Sequence, residues 1–249
     1  MRKFMLFLIV LTTSTSCMDQ HKLKVIGHRG AMGHETENTI ASIQKALELK
    51  VDMIEIDVFK LASGEIVVFH DDTVERLTNG TGNIEDYSWL ALQKLVVTGN
   101  HKIPLLTEVL DHIDATVPLN IELKGAGTAK DVHVILEKYM EEKNWTLDHF
   151  LISSFNWEEL KIMRQINDKV AIAILIEEAN PLEALAIANE LGAVAINPDY
   201  EKLDAEIAQK IREAGFKIYP WTVNEPQAIL KMKALGVDGI FTNYPERVE

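Results

Sequence analysis

The chain has 249 residues, 47% of them hydrophobic, and carries 38 acidic against 25 basic side chains, a net charge of −13. That length fits one barrel-sized domain or two small ones, with enough apolar residues to bury a large core. The acidic balance argues against a nucleic-acid partner, which needs a basic surface. An anionic substrate finds no help in the overall field, so its site must carry local positive charge.

Met1-Arg2-Lys3 precedes an apolar run from Phe4 to Leu11, small polar residues from Thr12 to Ser16, and the only cysteine, Cys17. A basic start, a short apolar stretch and a small-residue exit make a secretory signal. The run falls well short of the roughly 18 to 20 residues of a membrane span. Loss of residues 1–16 removes two basic residues and no acid, so the net charge becomes −15. The segment resembles the lipobox of bacterial lipoproteins, in which small residues precede a lipidated cysteine. Thr15 and Ser16 fit that pattern, while Ser14 stands where an aliphatic residue is usual. A lone thiol in an exported protein has no intramolecular disulfide partner, and lipidation of Cys17 would account for it. The expectation is an exported chain held at a membrane by that anchor, in the periplasm or at the cell surface. Simple cleavage would instead leave a soluble periplasmic protein.

From residue 22 to 249 short apolar runs alternate with amphipathic stretches. Strands are expected at Leu23–Gly27, Met53–Val58, Leu119–Leu123, Phe150–Ser153, Val170–Ile176, Val194–Asn197, Lys217–Trp221 and Gly239–Thr242. Helical spacing marks Thr39–Leu49, Ala129–Glu141, Trp157–Ile166, Leu182–Leu191, Asp204–Ala214 and Pro226–Leu235. Strand–helix alternation implies a parallel sheet with crossover helices. Eight strands in this length suit a closed (β/α)8 barrel, and no Gly-x-Gly-x-x-Gly turn follows the first strand to argue for a dinucleotide-binding open sheet. After the second strand, residues 59–69 read as a hairpin. Residues 71–104 form an insertion on the face where barrel enzymes carry their sites.

The first strand ends in His28-Arg29-Gly30 and the second carries Glu55-Ile56-Asp57. A spacing of two puts both carboxylates on one face of a strand. Pointing inward and unpaired they would be costly, and a hard divalent cation with oxygen ligands would neutralise them. Glu122 and Lys124 end the third strand, so Glu55, Asp57 and Glu122 form a candidate site for one calcium or magnesium ion. The hairpin returns to Phe69-His70-Asp71-Asp72, a second histidine at the barrel mouth.

Ile26-Gly27-His28-Arg29-Gly30 followed by Glu37-Asn38-Thr39 resembles the hallmark of the glycerophosphodiester phosphodiesterase family. The likeness continues through Glu55-x-Asp57, His70-Asp71, Leu77 to Gly82, Glu122-Leu123-Lys124, Ile152 to Phe155, Trp221 to Asn224, and Gly236 to Pro245. Two departures stand out: Thr36 replaces the proline usual before Glu-Asn-Thr, and Met32 to Glu35 is atypical.

The resemblance implies a TIM-barrel enzyme that hydrolyses small glycerophosphodiesters to sn-glycerol 3-phosphate and an alcohol. His28 and His70 would be the acid–base pair, with Glu55, Asp57 and Glu122 on the metal. Arg29 and Lys124 would hold the phosphate, Glu37 would lie near metal and substrate, and Trp221 would line the glycerol pocket. Physical chemistry agrees: an arginine fork matches phosphate oxygens, a lysine adds a point charge, and two histidines divide the proton traffic. The alternative is a lipase of the same barrel type, a lysophospholipase D or phosphatidylinositol phospholipase C, acting on acylated substrates. The modest, polar insertion favours water-soluble ones. His21, His101, His112, His133 and His149 lack acid partners at metal spacing, and His34 is a lesser candidate for substrate contact. Tyr87 and Trp89 either shape the pocket or pack the insertion.

Overall fold

The computed structural model describes residues 22–248, so the expected leader, Cys17 and His21 lie outside the described residues. The strands are β1 (Lys24–Gly27), β2 (Met53–Lys60), β3 (Ile66–Val68), β4 (Leu119–Leu123), β5 (Phe150–Ser154), β6 (Ala171–Ile176), β7 (Ala195–Pro198), β8 (Lys217–Ile218) and β9 (Gly239–Thr242). All but β3 are parallel, in the order β8-β7-β6-β5-β4-β2-β1-β9. The outer strands meet at a seam. There Phe241 N–H donates to Pro220 O at 3.0 Å, Val223 N–H to Phe241 O at 2.8 Å and Asp238 N–H to Ile218 O at 3.0 Å. The architecture is the expected TIM barrel.

Helices α1 (Ile40–Glu48), α2 (Trp89–Leu92), α3 (Leu106–Ile113), α4 (Thr128–Glu142), α5 (Trp157–Ile166), α6 (Ala184–Leu191), α7 (Ala205–Glu213) and α8 (Pro226–Leu235) complete the fold. The expected hairpin is present, with β3 antiparallel to the end of β2 through Val58 opposite Val68. The expected strand at 217–221 is shorter, since Pro220 has no N–H and cannot extend a regular ladder. Helix α3 is an addition. Its buried Leu106, Val109, Leu110 and Ile113 carry helical spacing, but they follow directly on the polar insertion.

Alternation along the strands sorts the barrel into layers. Ile54, Ile56 and Val58 point outward from β2 into the main core beneath the helices, while Met53, Glu55 and Asp57 point inward. Met53 joins Ile26, Leu151, Ala173, Ala195, Tyr219 and Phe241 in an apolar plug that fills the lower barrel. Polar inward side chains therefore collect above the plug, at the C-terminal mouth. The insertion packs its own core, Val74, Ile84, Leu92 and Val97, against Phe59, Val67 and Phe69 of the hairpin. Tyr87 and Trp89 belong to that packing.

Candidate active site

Immediately after β1 the chain turns sharply through Arg29 (φ 51°) and Gly30 (φ 83°). A Cβ on Gly30 would come within 2.6 Å of the Ser42 backbone, so only glycine fits. The turn aims the Arg29 N–H at Glu55 Oε2, 2.7 Å away, and brings the side chains of His28 and Arg29 over the barrel mouth. The Glu37-Asn38-Thr39 run acquires separate tasks. Glu37 accepts from Arg29 Nη1 at 2.7 Å, Asn38 Nδ2 donates to Asp57 Oδ2 at 2.8 Å, and Thr39 caps α1. Thr36, in the place usual for proline, ties the same loop to the insertion by donating to Thr98 O at 3.0 Å.

Glu55, Asp57 and Glu122 each turn a carboxylate oxygen inward, all within 4.8 Å of one another. Register on adjacent strands explains this, since Asp57 lies directly opposite Glu122. Burial, then the Asp57 charge, pushes Glu122 up to about 8. The same two causes, with Glu122 added, push Glu55 well above the usual carboxylate range. A hard divalent cation would relieve both effects, and three clustered oxygen donors suit one chemically. Burial opposes the charge of Lys124, but the Glu122 and Asp57 carboxylates outweigh it and raise its pKa. Its Nζ lies 3.2 Å from Glu122 Oε1.

The two histidines have opposite partners. His28 Nδ1–H donates to the amide oxygen of Asn243 at 2.7 Å, which leaves Nε2 without a proton. Burial, then the Arg29 charge, pushes His28 down to about 4. His70 Nδ1–H donates to the carboxylate of Asp71 at 2.6 Å, and its Nε2 lies 3.4 Å from Lys124 Nζ. Burial would raise Asp71, yet hydrogen bonds from Arg76 and His70 hold it down at about 2.

These groups border one cavity of about 360 Å³. His28, Arg29, Glu55, His70, Glu122, Lys124 and Trp221 form part of its wall, as their motifs suggest, and Asp57 sits just behind Glu55 and Glu122. Glu37 is off the wall: it is 6% exposed, and Arg29 and Arg76 occupy its carboxylate. His34 pairs with Glu246 at 2.9 Å, away from the cavity. Trp221 stands edge-on to Phe155, ring centroids 5.3 Å apart, and with Leu175 and Phe241 makes an apolar flank. Asn120 and Ser153, joined at 2.8 Å, make a polar floor. Sequence patterns overlooked Arg76, Asn243 and Asn38. Only the two asparagines stand in a recognisable motif, and nothing about Arg76 in a polar loop announces where its guanidinium reaches.

A parallel barrel with two histidines, an arginine, a lysine and three clustered carboxylates at one mouth defines a phosphoric diester hydrolase. The chain belongs to the glycerophosphoryl diester phosphodiesterase family, whose model matches residues 28–247. It is 34% identical to the glycerophosphodiester phosphodiesterase of Caldanaerobacter subterraneus subsp. tengcongensis, over 90% of this chain and 96% of that one. It is 25% identical to human lysophospholipase D GDPD1, over 90% and 84% respectively. An Oleispira antarctica phosphodiesterase solved with the product sn-glycerol-3-phosphate superposes with a TM-score of 0.83 at 28% identity, covering 90% of this chain and 94% of that one.

Proposed function

We propose that this enzyme hydrolyses water-soluble glycerophosphodiesters to sn-glycerol 3-phosphate and an alcohol, with one calcium or magnesium ion held by Glu55, Asp57 and Glu122. The observation that carries this reading is the convergence of those carboxylates with His28, Arg29, His70 and Lys124 on one cavity. Family membership and the product complex of the Oleispira relative support it.

In this reading Arg29 and Lys124 bind the non-bridging phosphate oxygens, one as a fork and one as a point charge. The bound cation would polarise the phosphoryl group and offset charge that builds up on its oxygens. The unprotonated Nε2 of His28 takes the proton from the glycerol 2-hydroxyl as its oxygen bonds to phosphorus. The bond to the head-group oxygen breaks, and His70, its ring oriented by the hydrogen bond from Nδ1 to Asp71, gives that oxygen a proton. Water then opens the cyclic phosphate with the roles reversed: His70 accepts a proton from water and His28 returns one to the glycerol oxygen. The apolar flank around Trp221 and Phe155 takes the glycerol carbons. The polar lip of Asp71, Asp72 and Thr73 beside His70 suits a hydrated head group better than an acyl chain.

A leaving-group comparison tests the division of labour. A p-nitrophenyl diester of glycerol phosphate needs no proton on departure, so His70→Ala should cleave it far better than it cleaves glycerophosphocholine. His28→Ala should fail on both. Equal losses for His70→Ala on the two substrates would reverse or dissolve the assignment. A 2-O-methyl substrate should resist cleavage, and its turnover would favour direct attack by water. Export and lipidation at Cys17 belong to the same proposal and rest on the pattern of residues 1–17.

A further inference from the structure

The proton donor and the phosphate fork, as assigned above, lie on different loops. His70 follows the hairpin strand β3, and Arg29 follows β1. Each depends on a carboxylate from its own neighbourhood, Asp71 beside His70 and Glu37 beside Arg29. The two carboxylates share a single cation. Arg76 Nη1 donates to Glu37 Oε2 at 2.8 Å and Nη2 to Glu37 Oε1 at 2.7 Å, a two-point grip. The same Nη2 donates to Asp71 Oδ1 at 2.9 Å, and Nε to Asp71 Oδ2. All three nitrogens of the guanidinium are thus committed, and both carboxylates receive two bonds.

Exposed ion pairs are usually worth little. This one differs because its acceptors are constrained: Glu37 is buried and already engaged by Arg29, and Asp71 is engaged by His70. A planar fork can give both carboxylates a two-point grip at once, which the three donors of a lysine cannot. Arg76 is nearly half exposed and off the cavity wall, and it reaches Arg29 and His70 on that wall through these two carboxylates. It comes from the insertion, whose core is packed on the hairpin, so the fold of the insertion fixes where its guanidinium lies.

We propose that Arg76 is the positioning residue of the site, holding Asp71 behind His70 and Glu37 behind Arg29 so that proton donor and phosphate fork face the same phosphorus. The insertion then serves the reaction itself, by supplying the clamp that joins two catalytic loops. Groups that orient a reacting side chain typically carry 10- to 100-fold effects on activity when removed.

The inference rests on the phosphodiesterase reading, and the test separates the two. Glycerophosphocholine turnover, cleavage of the p-nitrophenyl diester, calorimetric binding of sn-glycerol 3-phosphate with magnesium, and melting temperature are measured for wild type, Arg76→Ala and Arg76→Lys. Arg76→Ala should lose about 10- to 100-fold in kcat/KM on glycerophosphocholine. It should lose less on the p-nitrophenyl ester, bind the product more weakly and stay folded. Arg76→Lys should recover little, and added guanidinium ion should partly restore Arg76→Ala. In a His70→Ala background the Arg76→Ala loss in kcat should shrink. Wild-type turnover, product affinity and leaving-group response in Arg76→Ala would overturn the positioning role and leave the phosphodiesterase reading intact. A wild-type enzyme that neither turns over nor binds product would overturn both. If Arg76→Ala unfolds, Arg76→Gln takes its place, and wild-type kinetics in that variant would count against the proposal in the same way.

Discussion

The amide oxygen of Asn243 accepts the Nδ1–H of His28 at 2.7 Å, joining the end of the last strand to the end of the first. Asn243 is itself held by Asn224, whose side-chain oxygen accepts the Asn243 N–H at 2.9 Å. The contact decides which ring nitrogen of His28 carries its proton and aims the other into the cavity.

That arrangement fixes an acid limb. A base whose pKa is pushed down to about 4 stays unprotonated at all higher pH. The base form is lost only as pH falls through that value. With the cation kept saturating against protonation of Glu55 and Glu122, kcat/KM should therefore hold on the acid side until about pH 4. Asn243→Asp places a carboxylate on the ring, favours the imidazolium and should move this limb upward. Asn243→Ala should lower kcat by about 10-fold with little change in KM. A pH–rate series on the three proteins checks both. An acid limb near pH 6.5 that ignores Asn243→Asp would count against His28 as the base.

Calcium or magnesium should stabilise the protein as well as activate it. At about 100 times its dissociation constant a ligand adds roughly 2.7 kcal/mol, or about 5 to 10 °C in a domain of this size. Glu122→Gln should abolish most of that gain. The same variant should melt no lower than wild type in chelator, because it removes one of three mutually repelling buried carboxylates. Scanning calorimetry with calcium, magnesium and chelator measures all three expectations.

The barrel was largely legible in the sequence because apolar runs between amphipathic stretches leave few other folds. The two-residue spacing of Glu55 and Asp57 places both on one face of a strand, and the register of the adjacent strand brings Glu122 opposite Asp57. Helix α3 escaped because a polar insertion stands where a strand–helix loop is expected to be short. Arg76 escaped for a related reason: its partners lie 39 and 5 residues away, and the sequence carries no distance across loops. The placement of Glu37 illustrates the same limit. Its motif points to the site, yet only packing shows that its carboxylate faces two arginines and not the cavity.

A structural carboxylate offers a control outside the site. Glu159 on α5 is buried and accepts from Gly127 N–H at 2.7 Å and Ala129 N–H at 2.9 Å, capping α4 in place of a local side chain. Glu159→Ala leaves those donors unsatisfied and should cost about 2 kcal/mol. Glu159→Gln should cost less, since it keeps an acceptor. Urea unfolding checks the difference, and kcat should be unchanged in both.

Lipidation has its own readout. Cells fed a labelled fatty acid should label the full chain and leave Cys17→Ser unlabelled, with that variant recovered in the soluble fraction. Label that persists in Cys17→Ser, or a wild-type chain found only in solution, would remove the anchor from the account.

The central claim is tested most directly by release of sn-glycerol 3-phosphate from glycerophosphocholine, using chain lacking residues 1–17. Calcium, magnesium and chelator are compared, beside His28→Ala and Glu55→Ala. Release that needs the metal and falls by about 10²- to 10⁴-fold in His28→Ala is the expected result, with a comparable loss in Glu55→Ala. No release from folded protein with either metal and several head groups, or undiminished release in chelator, would contradict the account.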